Sequence, residues 1–280
     1  MEKVKRILPN ENYLYFGDLK NIPYGEKTQE QLVEFADDIF KFFERQGAKA
    51  VVMACNTTSA TVYDILKDNY NFKIYPIIQS CAKIIAGMNV PQSIPTRRCE
   101  TINCGEDQEN PPKQSPSYLD EIEFSGSLKI GVFATNATIN SSAYAKELKK
   151  YNPDLKVFEI ACPEWVKIVE EKTQNAPESI AIVESYLKEM LKNNPDKIIL
   201  GCTHYPYLLD ILSKMAPREL FIDPSVYFAD FIKEDLAKNN MLNDSVMSGY
   251  EKFFVSANAE RFQQASTMFY PVKKIPTLVG

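Results

Sequence analysis

The sequence predicts an α/β protein made of two similar α/β domains with mainly parallel sheets. Short β-branched and apolar runs alternate with segments of helical period along most of the chain, a pattern typical of βαβ units. The 280 residues are enough for about two domains of ~100–200 residues each. Two of the apolar runs also resemble each other, which indicates that the halves repeat one architecture.

The predicted strands are rich in β-branched and apolar residues. In chain order they are 13–16, 50–54, 73–78, 129–134, 156–160, 197–201, 219–222 and 252–256. Apolar residues recur at helical spacing between them, most clearly at 1–8, 29–46, 141–150 and 178–192. Strands that alternate with helices in this way favour parallel sheets.

The internal repeat relates residues 51–57 (VVMACNT) to residues 198–204 (IILGCTH). Each is an apolar strand that ends in a cysteine and continues into a polar turn. Each domain therefore presents a cysteine at the carboxyl end of a strand, where open α/β sheets bind ligands. The second half opens with a strand and turn at 129–135, whereas the first opens in the helix 1–8. The comparison predicts that one strand-and-turn unit is missing from the N-terminus.

The predicted first domain comprises 1–86 plus 207–280, and the predicted second domain comprises 128–206. The segment between them, 87–127, holds five of the 17 prolines and a cluster of acids, with almost no apolar periodicity. Loops of this length inside a domain are usually functional or disordered. We interpret 87–127 as a disordered insertion, for which a spacer without chemistry is the favoured role.

Charge and hydropathy exclude several classes of protein. The net charge of −5 gives no reason to expect binding to nucleic acid or to acidic membranes. No apolar stretch is long enough to span a membrane, and residues 1–16 lack the apolar core of a signal peptide. We therefore expect a cytoplasmic protein whose six cysteines are thiols. A single histidine, His204, makes a metal site of cysteines and histidines improbable.

Two cysteines at matched strand ends, Cys55 and Cys202, suggest proton transfer on both faces of one carbon. Racemisation removes an α-proton from one face and returns a proton to the other, so it needs a thiolate opposite a thiol. A helix N-terminus or a nearby cation can lower a cysteine pKa from ~8.5 into the required range. A single free cysteine is more often a small buried hydrophobe, so the hypothesis depends on the pair.

The residues beside these cysteines could assist them. His204 follows Cys202 by two residues and could relay a proton or stabilise the thiolate, although a helix-capping or core histidine is the alternative. Asn56, Thr57 and Thr203 could cap the helices that we expect after each cysteine and could also bind a carboxylate.

Two further turns carry candidate binding residues. Pro23, Tyr24 and Gly25 form a turn signal after the first predicted strand, and a plain surface turn is the alternative. Thr135 and Thr138 follow the strand 129–134, and their hydroxyls could hold a carboxylate or simply cap a helix.

Several motifs of the chain match one known family. They are Tyr15-Phe16-Gly17-Asp18, Pro23-Tyr24-Gly25-Glu26-Lys27, Ala54-Cys55-Asn56-Thr57, Thr135 to Thr138, Cys162-Pro163, Val169-Glu170 and Gly201-Cys202-Thr203-His204-Tyr205-Pro206. These motifs resemble those of the glutamate racemases, in the aspartate/glutamate racemase superfamily, over nearly the whole chain except 87–127. The last motif is highly specific. Aspartate racemases typically carry an acid where His204 stands, so the resemblance favours glutamate.

The resemblance implies a role for each matching residue. Cys55 would act on the D-enantiomer and Cys202 on the L-enantiomer, with His204 assisting Cys202 and Glu170 near His204. The α-amino and α-carboxylate groups of the substrate would be held by Asn56, Thr57 and Thr203. The remaining implied contacts are Pro23, Tyr24 and Gly25 at the side-chain end of the substrate, together with Thr135 and Thr138.

The resemblance also implies the wider setting of the reaction. The active site would lie in the cleft between two α/β domains, with glutamate as the small-molecule substrate and without a cofactor or metal. The family supplies D-glutamate to bacterial peptidoglycan, and hence to cell-wall biogenesis and cell shape. Family members are often dimers, so a homodimer is left open, whereas no nucleic-acid or membrane partner is expected.

The chain departs from the family at its start. Family members begin with a strand that ends in Asp-Ser-Gly, whose aspartate assists the first cysteine, and no such segment precedes Met1. A misplaced start codon, a truncation and a natural loss would each explain the difference, and without that aspartate we expect Cys55 to be the weaker base. Beside a glutamate racemase, the alternatives are a catalytically impaired homologue or fragment that only binds glutamate and a racemase for another acid such as aspartate.

Overall fold

The computed structural model describes residues 1–88, 128–267 and 269–279. Apart from its first two residues, the predicted insertion 87–127 lies outside the described residues, so its disorder stays a prediction. Among the described residues, no helix combines the length and the apolar character that a membrane-spanning segment requires.

The strands of the described residues form three sheets in which every pairing is parallel. The strands are β1 (Tyr13–Gly17), β2 (Ala50–Met53), β3 (Lys73–Pro76), β4 (Lys129–Ala134), β5 (Lys156–Ala161), β6 (Lys197–Gly201), β7 (Phe221–Ile222), β8 (Glu251–Val255) and β9 (Thr277–Leu278). The sheet orders are β5-β4-β6-β7, β1-β8-β9 and β2-β3. The predicted α/β class with mainly parallel sheets is therefore confirmed.

Helices connect and cover these strands. They are α1 (Glu2–Ile7), α2 (Gln29–Arg45), α3 (Asn56–Thr61), α4 (Tyr63–Leu66), α5 (Ile77–Ala86), α6 (Asn136–Ser141), α7 (Ala143–Tyr151), α8 (Pro163–Glu170), α9 (Pro177–Leu191), α10 (Leu209–Met215), α11 (Pro224–Lys238) and α12 (Ala259–Ser266). The start of α2 is fixed by a capping box, in which Thr28 and Gln31 bond each other's backbone N–H groups.

Three predicted elements differ from the structure. The helix predicted at 141–150 begins two residues later, at Ala143, because Ser142 adopts a left-handed conformation and the Ser141 hydroxyl accepts a hydrogen bond from the backbone N–H of Ala143. The strand predicted at 73–78 ends at Pro76, and α5 begins at the next residue. Residues 218–220 form a 3-10 turn, so the strand predicted at 219–222 shortens to β7.

The four-stranded sheet is buried on both faces. Ile130 and Val132 of β4 belong to the apolar cluster that includes α5 and α11, whereas Phe133 belongs to the cluster that includes α8 and α9. Successive side chains of a strand point to opposite faces, so an almost continuous apolar run is what a doubly covered strand needs. This packing fixes the carboxyl ends of β4 and β6, where two of the predicted site segments begin.

The division into two domains stays a prediction. The sheet of the second half extends beyond residue 206, because Ile198 and Ile199 of β6 pair with Phe221 and Ile222 of β7. In the first half, β1 pairs with β8 and β2 pairs with β3, so the strands described there lie in two separate sheets. A third apolar cluster joins α2 to β2 through Leu32 and Met53, among others.

Candidate active site

The two candidate cysteines lie at the carboxyl ends of parallel strands. Cys55 follows β2 and occupies the position before α3, and Cys202 directly follows β6. Both are free thiols, Cys55 partly exposed and Cys202 buried. Thr135 follows β4, the neighbour of β6 in the same sheet. The α/β architecture thus places these three predicted residues at strand ends of the kind that bind ligands.

The two thiols are close enough to influence each other electrostatically. Burial raises the pKa of Cys55 above its ordinary value, a backbone hydrogen bond from Thr58 opposes that effect, and the charge on Cys202 raises the pKa further. A negative charge on the Cys202 sulfur therefore favours the protonated form of Cys55. One thiolate opposite one thiol is the charge state that proton transfer between two bases requires.

His204 lies between Cys202 and Glu170. Its Nδ1 atom is 3.8 Å from the Cys202 sulfur, and its Nε2 atom is 3.2 Å from a carboxylate oxygen of Glu170, the last residue of α8. Burial alone lowers the pKa of His204, but the hydrogen bonds to Cys202 and Glu170 outweigh it and raise the pKa to about 9. The hydrogen bond from His204 likewise lowers the pKa of Glu170. An imidazolium held in this way can stabilise a thiolate at Cys202.

Three predicted threonines form a buried chain of hydrogen bonds. The Thr57 hydroxyl is 2.9 Å from the Thr135 hydroxyl, which is 3.1 Å from that of Thr138. Thr135 also caps α6 by accepting a hydrogen bond from the backbone N–H of Thr138. The chain joins a residue of α3, two positions after Cys55, to residues that follow β4, so hydroxyl groups from both halves of the sequence meet.

The turn at residues 23–25 packs against this threonine chain. Tyr24 and Gly25 begin a 3-10 helix, and a Cβ atom added to Gly25 would lie 3.0 Å from the Thr135 Cβ. Glycine therefore permits the close approach of the turn to α6. Pro23, which precedes the helix, is exposed.

Asp18 anchors this turn, although the sequence analysis did not single it out as a site residue. It accepts hydrogen bonds from the Tyr24 hydroxyl at 2.5 Å, the Asn21 amide at 2.8 Å and the Ser256 hydroxyl at 2.7 Å. Burial, followed by the bond to Asp18, raises the pKa of Tyr24, which keeps the phenol protonated as the donor. The only signal in the sequence was its place in the matched Tyr-Phe-Gly-Asp segment.

The predicted helix caps after the cysteines are wrong. Asn56 and Thr57 lie inside the first turn of α3, with Cys55 at the cap position and no side-chain cap. After Cys202 the chain makes a tight turn, in which the backbone N–H of Tyr205 bonds the carbonyl of Cys202, and continues as a 3-10 helix. Thr203 is exposed on that turn, so in the described residues it is not joined to the threonine chain.

Replacing Glu170 by glutamine is expected to weaken the dependence of stability on pH. The pKa of His204 rises from 6.5 to about 9 on folding, so its contribution is complete below pH 6.5 and disappears as the pH rises through 9. Without the Glu170 carboxylate, the pKa of His204 in the folded protein is lower. The decrease in unfolding free energy from pH 6.5 to pH 9 should therefore be smaller than in the parent by roughly 1 kcal/mol, after allowance for solvent screening at the half-exposed Glu170. Urea unfolding at both pH values measures this change.

Glu171→Gln is the matched control for that prediction. Glu171 is the next residue along the chain and pairs with Lys167 at 3.8 Å on the surface, away from His204. Its replacement should leave the difference between the two pH values as in the parent. An equal change in the two variants would contradict the assignment of the raised pKa to the pair of His204 and Glu170.

Known proteins are similar to this chain in sequence and in fold. A family model described as Asp/Glu/Hydantoin racemase matches residues 118–228. A curated relative, the glutamate racemase of Thermoanaerobacter sp. (strain X514), is 30% identical over 269 residues, which cover 96% of this chain and 87% of that protein.

Solved structures agree with these relationships. The glutamate racemase of Francisella tularensis, solved in complex with D-glutamate, has a TM-score of 0.80 and 27% identity, and the match covers 100% of this chain and 91% of that one. The glutamate racemase of Thermus thermophilus, solved with β-chloro-D-alanine, has a TM-score of 0.73 and 25% identity, with 100% and 90% covered. The resemblance drawn from the motifs is confirmed. The chain belongs to the glutamate racemase family.

Proposed function

We propose that this chain is a glutamate racemase, an isomerase that interconverts L- and D-glutamate by transferring protons at Cys55 and Cys202. The observation that carries the proposal is the pair of free thiols at the ends of β2 and β6, close enough for the charge on one to raise the pKa of the other. Its family membership and the D-glutamate bound by the Francisella tularensis relative support glutamate as the substrate.

In the proposed reaction, the thiolate of Cys55 removes the α-proton of D-glutamate. The electron pair left on the α-carbon then takes a proton from the thiol of Cys202 on the opposite face, which gives L-glutamate and a Cys202 thiolate. The reverse direction exchanges the two roles. His204, hydrogen-bonded to Glu170, stabilises the Cys202 thiolate and thereby assists the proton transfers at that sulfur.

Polar groups around the cysteines would hold the substrate. Asn56, Thr57 and Thr203 are proposed to bind the α-amino and α-carboxylate groups, and the threonine chain supports this assignment because hydroxyl groups accept and donate hydrogen bonds. The proposed contacts beyond these are Thr135, Thr138, Glu170 and, at the side-chain end, Pro23, Tyr24 and Gly25. The contact between Gly25 and Thr135 supports placing that turn at the site.

We also propose a biological setting for the reaction. The product D-glutamate would enter peptidoglycan synthesis in the cytoplasm, and the chain would work as two domains, 1–86 plus 207–280 and 128–206, around the site. A homodimer is left open by the family resemblance.

A racemisation assay with two amino acids tests the proposal. The purified chain is incubated separately with each enantiomer of glutamate and of aspartate, and the enantiomers are separated by chiral chromatography. We expect L- and D-glutamate to interconvert with a kcat/KM at least tenfold above that for aspartate, because His204 stands where aspartate racemases typically carry an acidic residue. Faster turnover of aspartate, or binding of glutamate without turnover in a folded sample, would contradict the proposal.

A further inference from the structure

Tyr144 of α7 connects the two strand ends that carry the cysteines. Its side chain is fully buried, and its hydroxyl donates a hydrogen bond to the Asn56 Oδ1 atom at 2.7 Å. Asn56 directly follows Cys55 and is itself buried. The phenol and the amide lie 88 positions apart in the sequence, so the bond joins α7 of the second half to α3 of the first.

The ring of the same tyrosine lies against the backbone that precedes Cys202. A Cβ atom added to Gly201 would lie 2.8 Å from the Tyr144 Cε2 atom and 3.0 Å from the carbonyl oxygen of Phe133. Any larger residue at 201 would therefore displace the ring or the strand. Gly201 therefore leaves room for the Tyr144 ring. From that position the Tyr144 hydroxyl reaches Asn56, the residue after Cys55.

This bond fixes the orientation of the Asn56 amide. Burial raises the pKa of Tyr144 well above its ordinary value, so the hydroxyl stays protonated and donates. Its acceptor is the amide oxygen, which leaves the two N–H donors of the Asn56 side chain for another partner. With the amide rotated by half a turn, its NH2 group would donate to the phenol oxygen instead, and the buried O–H of Tyr144 would have no acceptor among the described residues.

We propose that Tyr144 is a positioning residue that holds the Asn56 amide with its NH2 group available to a carboxylate of the substrate. The inference rests on the proposed function, since it assumes that an acidic amino acid binds beside Cys55. Tyr144 acts only through Asn56 and touches no reacting atom. Gly201 serves the same purpose, because it admits the ring.

The test is Tyr144→Phe, which removes the hydroxyl and keeps the ring. The KM for both enantiomers of glutamate and the calorimetric Kd for D-glutamate should rise roughly tenfold, the typical effect of one lost hydrogen bond, with a smaller change in kcat. In an Asn56→Ala background the same substitution should change neither constant by more than about twofold, because residues that act through one another are not additive.

Tyr75→Phe is the matched control. Its hydroxyl donates a hydrogen bond to Asp235 at 2.7 Å, and its side chain is equally buried, but it lies on β3 and outside the proposed site. We expect it to lower the melting temperature and to leave KM unchanged. Should Tyr144→Phe fail to fold, Gly201→Ala provides the second variant, since its Cβ would crowd the Tyr144 ring at 2.8 Å without removing a polar group. Its rise in KM should disappear in the Asn56→Ala background if it arises from the ring rather than from the strand.

Each outcome decides the inference. A KM and Kd for Tyr144→Phe within twofold of the parent would overturn it, as would an undiminished effect in the Asn56→Ala background. If the parent binds D-glutamate but racemises neither enantiomer, the proposed function fails while the calorimetric comparison still tests Tyr144. If the folded parent does not bind glutamate, both are overturned.

Discussion

Replacing Cys202 by alanine is expected to lower racemisation at least about 1000-fold, from L-glutamate and from D-glutamate alike. Each direction uses one thiolate and one thiol, so the loss of either sulfur removes an acid or a base from both. The substitution also removes the sulfur that lies in hydrogen-bond contact with the His204 Nδ1 atom, 3.8 Å away. Initial rates measured from each enantiomer by chiral chromatography give the size of the loss.

Cys81→Ala is the matched control for that variant. Cys81 is a fully buried free thiol on α5 whose sulfur contacts the carbonyl oxygen of Pro224, and it lies outside the proposed site. Its replacement should cost some stability through lost packing and should leave both rates within about twofold. Turnover of Cys202→Ala close to that of Cys81→Ala, in either direction, would refute the assignment of two bases.

Replacing Gly249 by alanine is expected to give the largest loss of stability among the glycines whose surroundings the structure describes. A Cβ atom there would lie 1.7 Å from the carbonyl oxygen of Glu11 and 2.4 Å from its carbonyl carbon, so the backbone itself must move. That movement breaks the hydrogen bond from the Gly249 N–H to the Pro9 carbonyl and strains the one from the Tyr250 N–H to Asn12. We expect the free energy of unfolding to fall by about 3 kcal/mol and the melting temperature by roughly 5–10 °C.

Gly47→Asn is the control for that substitution. Gly47 has a φ of +69°, which asparagine tolerates better than most residues, and a Cβ atom there would meet nothing within 4 Å. Its melting temperature should stay within about 2 °C of the parent. Equal decreases in melting temperature for the two variants, measured by calorimetry, would contradict the assignment of the lost stability to a contact between the new Cβ atom at 249 and the Glu11 backbone.

Most strand positions were predictable, because a parallel strand that is buried on both faces appears in the sequence as an almost continuous apolar run. The runs 129–134 and 197–201 coincide with β4 and β6, since both faces of each strand require apolar residues. The same logic placed Cys55 and Cys202 correctly at strand ends. The start of α7 was predicted two residues too early, because periodicity indicates a helical face and not the local hydrogen bond of the Ser141 hydroxyl that separates α6 from α7.

The residues of the candidate site were easier to predict from the sequence than the contacts between them. Thr57, Thr135 and Thr138 were each named from the sequence, but the hydrogen bonds between them depend on how two distant segments pack. Tyr144 was not named, because a tyrosine in a helix is usually a core residue and its partner Asn56 lies far along the chain. Local patterns therefore identified the groups that follow each strand, whereas tertiary structure determined which of them meet.

Exchange of the α-proton with solvent tests the central claim most directly. The purified 280-residue chain is incubated with L-glutamate and, separately, with D-glutamate in D2O, and the α-proton signal is followed by NMR together with the configuration of the product. If Cys55 and Cys202 transfer protons as proposed, each enantiomer gives the opposite one with deuterium at the α-carbon, since both thiols exchange with solvent. Retention of the α-proton from both enantiomers, in a folded sample that binds glutamate, would contradict the account.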